Sequence, residues 1–227
     1  WAFKNCDAIT AIKIPKSLQD TNSPFQDCDG LSDVQFEEGT TRVVSWLFYG
    51  CTGLTSIVLP DTITEIGNYA FKGCKNLQFV QFSDSVTKID QYAFQDCSNL
   101  RNVELPKNLQ VLGTWAFKNC DAITAIKIPK SLQDTNSPFQ DCDGLSYVQF
   151  EEGATRVVGR LFYGCTGLTS IVIPDTITEI GQYAFSECTK LSNVTLPGNL
   201  QVLGTSTFKN CDALTSIKIP KSLGLTN

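Results

Sequence analysis

Residues 51–74 read CTGLTSIVLPDTITEIGNYAFKGC, and versions of this stretch fill the 227-residue chain. A cysteine opens every unit, and successive cysteines lie 22 or 23 residues apart. A phenylalanine stands three residues before each cysteine, and a leucine or isoleucine stands three residues after it. The cysteines are Cys6, Cys28, Cys51, Cys74, Cys97, Cys120, Cys142, Cys165, Cys188 and Cys211. A fixed period of this length predicts a solenoid, in which each unit packs against its neighbours.

Apolar residues alternate across positions 54–59, and this alternation predicts a short β-strand. Pro60 ends the strand because proline has no amide hydrogen to donate to a ladder. Gly67 follows in a turn, at a position where we expect a positive φ. The equivalent residues are Gly113, Gly181 and Gly204, with Asn22 and Asn136 in the shorter units.

Stacking of the units pairs each strand with its counterpart about 4.8 Å away. We therefore predict an α/β repeat solenoid, an arc of about ten rungs, one for each cysteine. Each rung is expected to contribute one short parallel strand, with turns or 3₁₀ pieces on the opposite side. Leucine, isoleucine and phenylalanine from every rung should fill one continuous core.

A longer duplication overlies the short repeat. Residues 115–185 repeat residues 1–71 with six differences, and one unit is then missing from the second copy. The differences are Asp33/Tyr147, Thr40/Ala154, Ser45/Gly159, Trp46/Arg160, Leu59/Ile173 and Asn68/Gln182. We interpret residues 1–227 as a single solenoid in which block 1–114 is duplicated from residue 115 with one unit deleted.

The two ends of the chain carry no polar cap sequence. Because a solenoid needs caps to cover its terminal rungs, we expect a fragment that is uncapped at both ends. Residues 1–14 and 217–225 should then expose apolar faces, which would permit end-to-end self-association.

The even number of cysteines permits disulfides in an oxidising compartment. Equivalent side chains on stacked rungs are parallel, however, whereas a disulfide needs Cβ atoms that converge. One cysteine per rung, in a chain without histidine, also lacks the ligand spacing of a zinc site. We therefore favour a small buried apolar residue that fills the same gap in every rung, and we expect no metal site.

The unit resembles the BspA-like leucine-rich repeat of bacterial surface proteins and of surface proteins of mucosal parasites. The resemblance rests on the L-x-x-I-x-L-P strand, the I-G turn and the A-F-x-x-C return, and it extends over the entire chain. Glu37 and Glu151 depart from it, since proline is expected at both positions. The resemblance implies a curved protein that is extracellular or attached to the cell surface. Members of this family are associated with adhesion to host extracellular matrix and to other cells.

Composition argues against several functions. Without histidine there is no Ser-His-Asp or Cys-His catalysis, and the chain has neither a G-x-S-x-G motif nor a glycine-rich phosphate loop. The net charge of −5 and the absence of a basic cluster disfavour nucleic acid as a partner. No run of about 18 apolar residues occurs, so we expect no membrane insertion by this segment. We expect no enzymatic activity and no cofactor.

Candidate ligand contacts lie on the strand face. Residues four, five and seven after each cysteine should point outward, and most of them are small and polar. Phe79 and Tyr147 are the outward aromatic residues, and aromatic side chains frequently anchor interfaces. The other candidate contacts are Gln78, Gln81, Arg101 and Glu104. A serine or threonine at the first outward position could form an ice-binding ladder, but Gln78 and Arg101 interrupt it.

These features favour a non-enzymatic surface adhesion or interaction module that binds a protein or an extracellular-matrix ligand of a host or cell surface. The alternative is the ectodomain of a leucine-rich repeat receptor that recognises one specific ligand. Asp33/Tyr147 is the one difference between the copies at an outward strand position, so it gives the receptor hypothesis little support. A third possibility, an enzyme that uses the solenoid as a substrate platform, would need a domain outside this sequence.

Overall fold

A computed structural model describes residues 2–20 and 23–224 as a parallel β-solenoid of about eight turns. Each regular turn has a strand on the face that follows the cysteine and a two-residue strand on a second face. The first-face strands are β1 (Ala11–Ile14), β2 (Asp33–Phe36), β4 (Ser56–Val58), β6 (Phe79–Gln81), β9 (Ala125–Ile128), β11 (Tyr147–Phe150), β13 (Ser170–Val172) and β15 (Asn193–Thr195). The second-face strands are β3 (Arg42–Val43), β5 (Glu65–Ile66), β7 (Lys88–Ile89), β8 (Val111–Leu112), β10 (Asp134–Thr135), β12 (Arg156–Val157), β14 (Glu179–Ile180) and β16 (Val202–Leu203).

All of the pairings between these strands are parallel, and each joins equivalent positions of adjacent turns. On the first face the strands form four separate pairs, β1–β2, β4–β6, β9–β11 and β13–β15. On the second face they form a five-stranded sheet, β3-β5-β7-β8-β10, and a three-stranded sheet, β12-β14-β16.

The α/β label and the ten rungs of one strand each are not confirmed. Within the described residues the helical content is a single 3₁₀ turn at Lys221–Leu223. The units that begin at Cys97 and Cys211 have no first-face strand. The predicted back of turns and 3₁₀ pieces is instead a second parallel sheet, because residues such as Glu65 and Ile66 pair with the next turn.

A column of phenylalanine rings fills the core. Seven of the rings are fully buried, and eight pairs of neighbouring rings stack with centroid distances of 5.0–6.2 Å. Phe94, for example, lies nearly parallel to both Phe71 and Phe117. Since stacked aromatic rings add about 0.5–1.5 kcal/mol to the energy of burial, the column favours one alignment of successive turns.

The cysteines form a second column beside the rings. All ten are free thiols, nine are buried, and Cys6 is partly exposed, so the buried-residue interpretation is confirmed for nine of them. From Cys28 onward, each thiol donates a hydrogen bond of 2.9–3.3 Å to the carbonyl of the phenylalanine that precedes the cysteine of the previous turn. The Phe48 carbonyl, for example, accepts from the Cys51 N–H and from the Cys74 thiol. Both of its lone pairs are therefore satisfied inside the core.

The prediction of a positive φ at Gly67 is wrong. Gly67, Gly113, Gly181, Gly204 and Asn136 all lie outside the left-handed region, and Asn22 is not among the described residues. These glycines are needed for space. A Cβ atom at position 67 would lie 2.7 Å from the Ser45 nitrogen, and one at position 204 would lie 2.3 Å from the Gln182 nitrogen. The close approach lets the Gly67 N–H donate to the Val43 carbonyl and extend the second-face ladder.

The two expected apolar end faces can be compared with the structure in part, because Trp1 and Leu225 lie outside the described residues. Phe3 is 44% exposed and Ile219 is 42% exposed. Among the described residues, Phe3 stacks on Phe25 only, at a centroid distance of 5.4 Å. Ring burial therefore differs strongly between Phe3 and the middle of the column.

This difference in burial predicts how much stability is lost when a ring is removed. Phe94→Ala should lower the free energy of unfolding by about 3–5 kcal/mol, because it empties a closed site between two stacked rings. Phe3→Ala should cost less than about 1 kcal/mol, because that ring is already partly hydrated. Chemical denaturation followed by circular dichroism measures both values, and equal losses in the two variants would contradict the central role of the column.

Candidate functional site

The first face presents an outward layer of side chains along the solenoid. In β4, Ser56 and Val58 are exposed while Ile57 is buried, and β6 and β13 have the same pattern. The alternation follows from the two-residue period of a strand, whose successive side chains point to opposite sides. The predicted outward positions are therefore confirmed as outward, whereas a ligand-binding role for them is still a prediction.

Three of the candidate contacts lie together. Phe79 is 43% exposed, and with Gln81 and Glu104 it lines a shallow cavity of 600 Å³ at the carboxyl end of β6. Gln78 and Arg101 lie at the amino end of the same two turns, where the Arg101 N–H donates to the Gln78 carbonyl. Both are exposed, and neither lines the cavity beside Phe79.

Tyr147 lies three turns further along, about 14 Å from Phe79 at the spacing of paired strands. It is 56% exposed on β11, and its hydroxyl accepts a 2.7 Å hydrogen bond from the Gln149 amide. With Gln149 and Lys127 it lines a second cavity of 540 Å³. Phe79 and Tyr147 therefore cannot contact the same small group, but they can contact one extended ligand.

A third cavity of 360 Å³ lies between the other two and shares lining residues with each of them. Glu104, Leu105 and Lys107 line both the first and the third cavity, and Lys127 lines both the second and the third. Within residues 2–20 and 23–224, Glu104 and Lys127 form no salt bridge, whereas Lys107 pairs with Asp84 at 3.2 Å. The result is a groove along the first face, with an aromatic side chain in each outer cavity and charges of both signs at its centre.

The centre of this groove coincides with a break in the first-face ladder. Asn102 has a φ of 53°, a left-handed conformation that asparagine tolerates but a strand cannot contain. In the part of the chain that the structure describes, the bond from Arg101 to Gln78 is the one backbone hydrogen bond between segment 101–105 and an adjacent turn. The equivalent Asn193 begins β15 and pairs with Ser170. Glu104 therefore projects from backbone that is not paired with an adjacent turn, and Arg101 stands at the last bonded amide before the break.

The chemistry of the thiols points to structure rather than catalysis. Burial raises the pKa of Cys51 to about 12 and that of Cys211 to about 11, so both thiols stay protonated and unreactive at neutral pH. No cluster of three or more histidine, cysteine, aspartate or glutamate residues within the described ranges could hold a metal ion. The same residues contain no helix able to cross a membrane.

One surface feature was not predicted from the sequence. Trp46, Tyr69, Tyr92 and Trp115 each stand five residues before a cysteine, and their rings pack against one another on the return side of the turn. The recurrence of an aromatic residue at one register position in four consecutive units could have identified this aromatic ladder.

Comparison with solved structures defines the class of protein. The chain is 24% identical to a leucine-rich repeat protein of T. pallidum over 90% of this chain and 83% of that one, with a TM-score of 0.53. It is also 24% identical to a leucine-rich repeat protein of Eubacterium ventriosum, with a TM-score of 0.57. That match covers 95% of this chain and 56% of the other, so this chain spans little more than half of that protein. Both similarities show a leucine-rich repeat fold.

The family to which the chain belongs is shown by the match of its repeats to a family model. The BspA type leucine-rich repeat region matches residues 21–137 and 125–226 in six copies, so the chain belongs to this family. Comparison with curated protein sequences gives no significant match.

The break at Asn102 predicts a difference between two similar units, those that begin at Cys97 and Cys188. Amides of segment 102–105 should exchange with deuterium at least about tenfold faster than those of segment 193–196, because unpaired backbone needs no local opening. Asn102→Val should slow the exchange of segment 102–105, because a β-branched residue disfavours the left-handed region. Hydrogen exchange read by mass spectrometry tests both effects, and equal protection of the two wild-type segments would contradict the break.

Proposed function

We propose that this chain is a non-enzymatic interaction module of a cell surface, which binds a protein or extracellular-matrix ligand along its first face. The observation that carries the proposal is the row of three cavities between Phe79 and Tyr147, which share lining residues along the first face. An open groove of this length suits an extended macromolecular segment better than a small substrate, which needs a concave, largely closed site. Two partly exposed aromatic anchors are the kind of residue that dominates binding energy at protein interfaces.

Family membership supports the surface location and the adhesive role of this proposal, since the BspA-like repeat occurs in adhesive surface proteins. End-to-end self-association belongs to the same proposal and rests on the exposed Phe3 and Ile219. A receptor ectodomain with one specific ligand is the alternative. The residue pair Asp33/Tyr147 gives it little support, because this pair is the one difference between the copies at an outward strand position.

The test is a binding array of purified matrix and cell-surface proteins. The affinity of the strongest partner is then measured for variants of this chain at its first face. Tyr147→Asp is the central variant, because the first copy has Asp33 at the same strand position and folds with it. We expect Tyr147→Asp combined with Phe79→Gln to weaken binding at least about tenfold, as loss of interface anchors does. Several weak partners would support adhesion, and a single nanomolar partner would support the receptor alternative.

Tyr69→Ser provides the matched control, since it removes an aromatic ring from a different surface and should leave this binding unchanged. Sedimentation velocity of the wild type at several concentrations shows whether self-association accompanies binding. No binding to any arrayed protein, or unchanged affinity in the double variant, would contradict the proposed first-face site. Turnover of any arrayed component would contradict the non-enzymatic role.

A further inference from the structure

One interface between adjacent turns, which we call the seam, lacks most of its ladder hydrogen bonds. It lies between residues 133–150 and residues 155–173, the equivalent positions of the next turn. On the second face β10 and β12 do not pair across it, and on the first face β11 and β13 do not pair. Among the described residues, no backbone hydrogen bond joins the two strands of either pair. On the second face a side chain replaces the ladder, since the Thr135 hydroxyl donates to the Gly159 carbonyl at 2.8 Å.

A shorter unit explains the seam. In the regular unit Phe71 follows Pro60 by 11 residues, whereas in the short unit Phe139 follows Pro129 by 10. The missing residue falls between the second-face strand and the ring. The turn therefore loses its register with the next one, and β10 pairs with β8 before it but not with β12 after it.

The core is loosest along the same seam. Phe139 and Phe162 stack across it with a centroid distance of 6.2 Å, the largest among the stacked neighbours, whereas Phe71 and Phe94 lie 5.0 Å apart. The Phe94 N–H donates to the Ala116 carbonyl of the next turn, but the Phe139 N–H has no such bond among the described residues. Since dispersion attraction falls steeply with separation, the two turns are held together less strongly here than elsewhere in the column.

The backbone bonds that remain across the seam lie on the return side of the turn. The Ser137 N–H donates to the Arg160 carbonyl at 3.2 Å, and the Asp141 N–H donates to the Gly164 carbonyl at 3.0 Å. The Cys165 thiol also donates across the seam, and its bond of 3.3 Å is the longest of the nine thiol bonds. Backbone bonds confined to one side form a pivot about which the other two sides can separate.

The first copy repeats these features after an equally short unit. Phe25 follows Pro15 by 10 residues, and β2 and β4 are unpaired. The described rings of Phe25 and Phe48 form no stacked pair, so the phenylalanine column is interrupted there. Four of the six differences between the copies lie in the turn that borders the seam: Asp33/Tyr147, Thr40/Ala154, Ser45/Gly159 and Trp46/Arg160. The weak interface thus recurs with the short unit, while the side chains beside it have changed more than the rest of the block.

We propose that the seam is a hinge. The turns before it, held by the five-stranded sheet, and the turns after it, held by the three-stranded sheet, move as two stacks about the return-side bonds. This motion opens and closes the 540 Å³ cavity beside Tyr147, because Tyr147 and Gln149 line it from one side of the seam and Ser170 and Val172 from the other. The distance between the aromatic side chain and the opposite wall thus changes with the hinge angle. The hinge is a property of the fold and does not depend on the proposed ligand.

Pulsed electron paramagnetic resonance between two spin labels in the intact chain tests the hinge. The labels are attached to genetically encoded ketone side chains, because thiol labels would also react with the partly exposed Cys6. The test pair, at Gln110 and Gln201, spans the seam, and the control pair, at Thr41 and Gln133, spans the unbroken five-stranded sheet. All four residues are exposed and precede a second-face strand, and each pair spans four turns, about 19 Å. We expect the distance distribution of the test pair to be at least about twice as wide as that of the control pair.

A zinc clamp tests whether the extra width comes from the seam. The chain contains no histidine, so Gln133→His with Thr155→His creates a single histidine pair, which lies across the seam. Thr64→His with Thr87→His is the matched control within the five-stranded sheet. Zinc should narrow the test-pair distribution to the control width in the first variant and leave it broad in the second, because only the first bridge ties the two stacks together. Equal widths of the test and control pairs without zinc would overturn the proposal, as would an unchanged width when calorimetry shows zinc bound across the seam.

Discussion

The fold depends on one carbonyl group per turn and on its two donors. The carbonyl of each core phenylalanine accepts a backbone N–H from its own turn, and a cysteine thiol from the next turn supplies the second bond. Phe48 shows both bonds, from Cys51 at 3.2 Å and from Cys74 at 3.0 Å. Without the thiol, the backbone N–H bond would remain, but the second lone pair of each buried carbonyl would lack a donor. Cysteine fits the position because it is small enough for the gap, apolar enough for the core and still able to donate.

This constraint fixes the interior and leaves the outside free. Phenylalanine, cysteine and the strand leucines or isoleucines recur in nearly every turn because each must match its counterpart above and below. The outward positions meet no such requirement, so one turn can carry Asp33 and its copy Tyr147 on the same backbone. The same freedom allows serine, arginine, tyrosine or tryptophan at the left-handed position five residues before the cysteine. Binding surfaces can therefore change from turn to turn without loss of the stack.

Much of this architecture could be predicted from the sequence because it is periodic. The repeat length, the buried cysteines and the outward strand positions all follow from residues in register. The role of Gly67 could not be predicted, because absence of a side chain serves a left-handed turn and a close backbone approach equally well. The break at Asn102 could not be predicted either, since the equivalent Asn193 of a similar unit begins a strand. For the candidate site, the sequence identified Phe79 and Tyr147 as exposed, but the groove that joins them depends on side chains from several turns.

The thiols form a column that excludes solvent and becomes accessible only when the stack of turns unfolds. Pulse labelling with iodoacetamide under native conditions, with each cysteine read by peptide mass spectrometry, tests it directly. Cys6, which is partly exposed, should be labelled first. The nine buried thiols should be labelled at the rate of unfolding, and all ten should react at once in denaturant. Labelling of Cys97 or Cys120 as fast as Cys6 in the native protein would contradict the account.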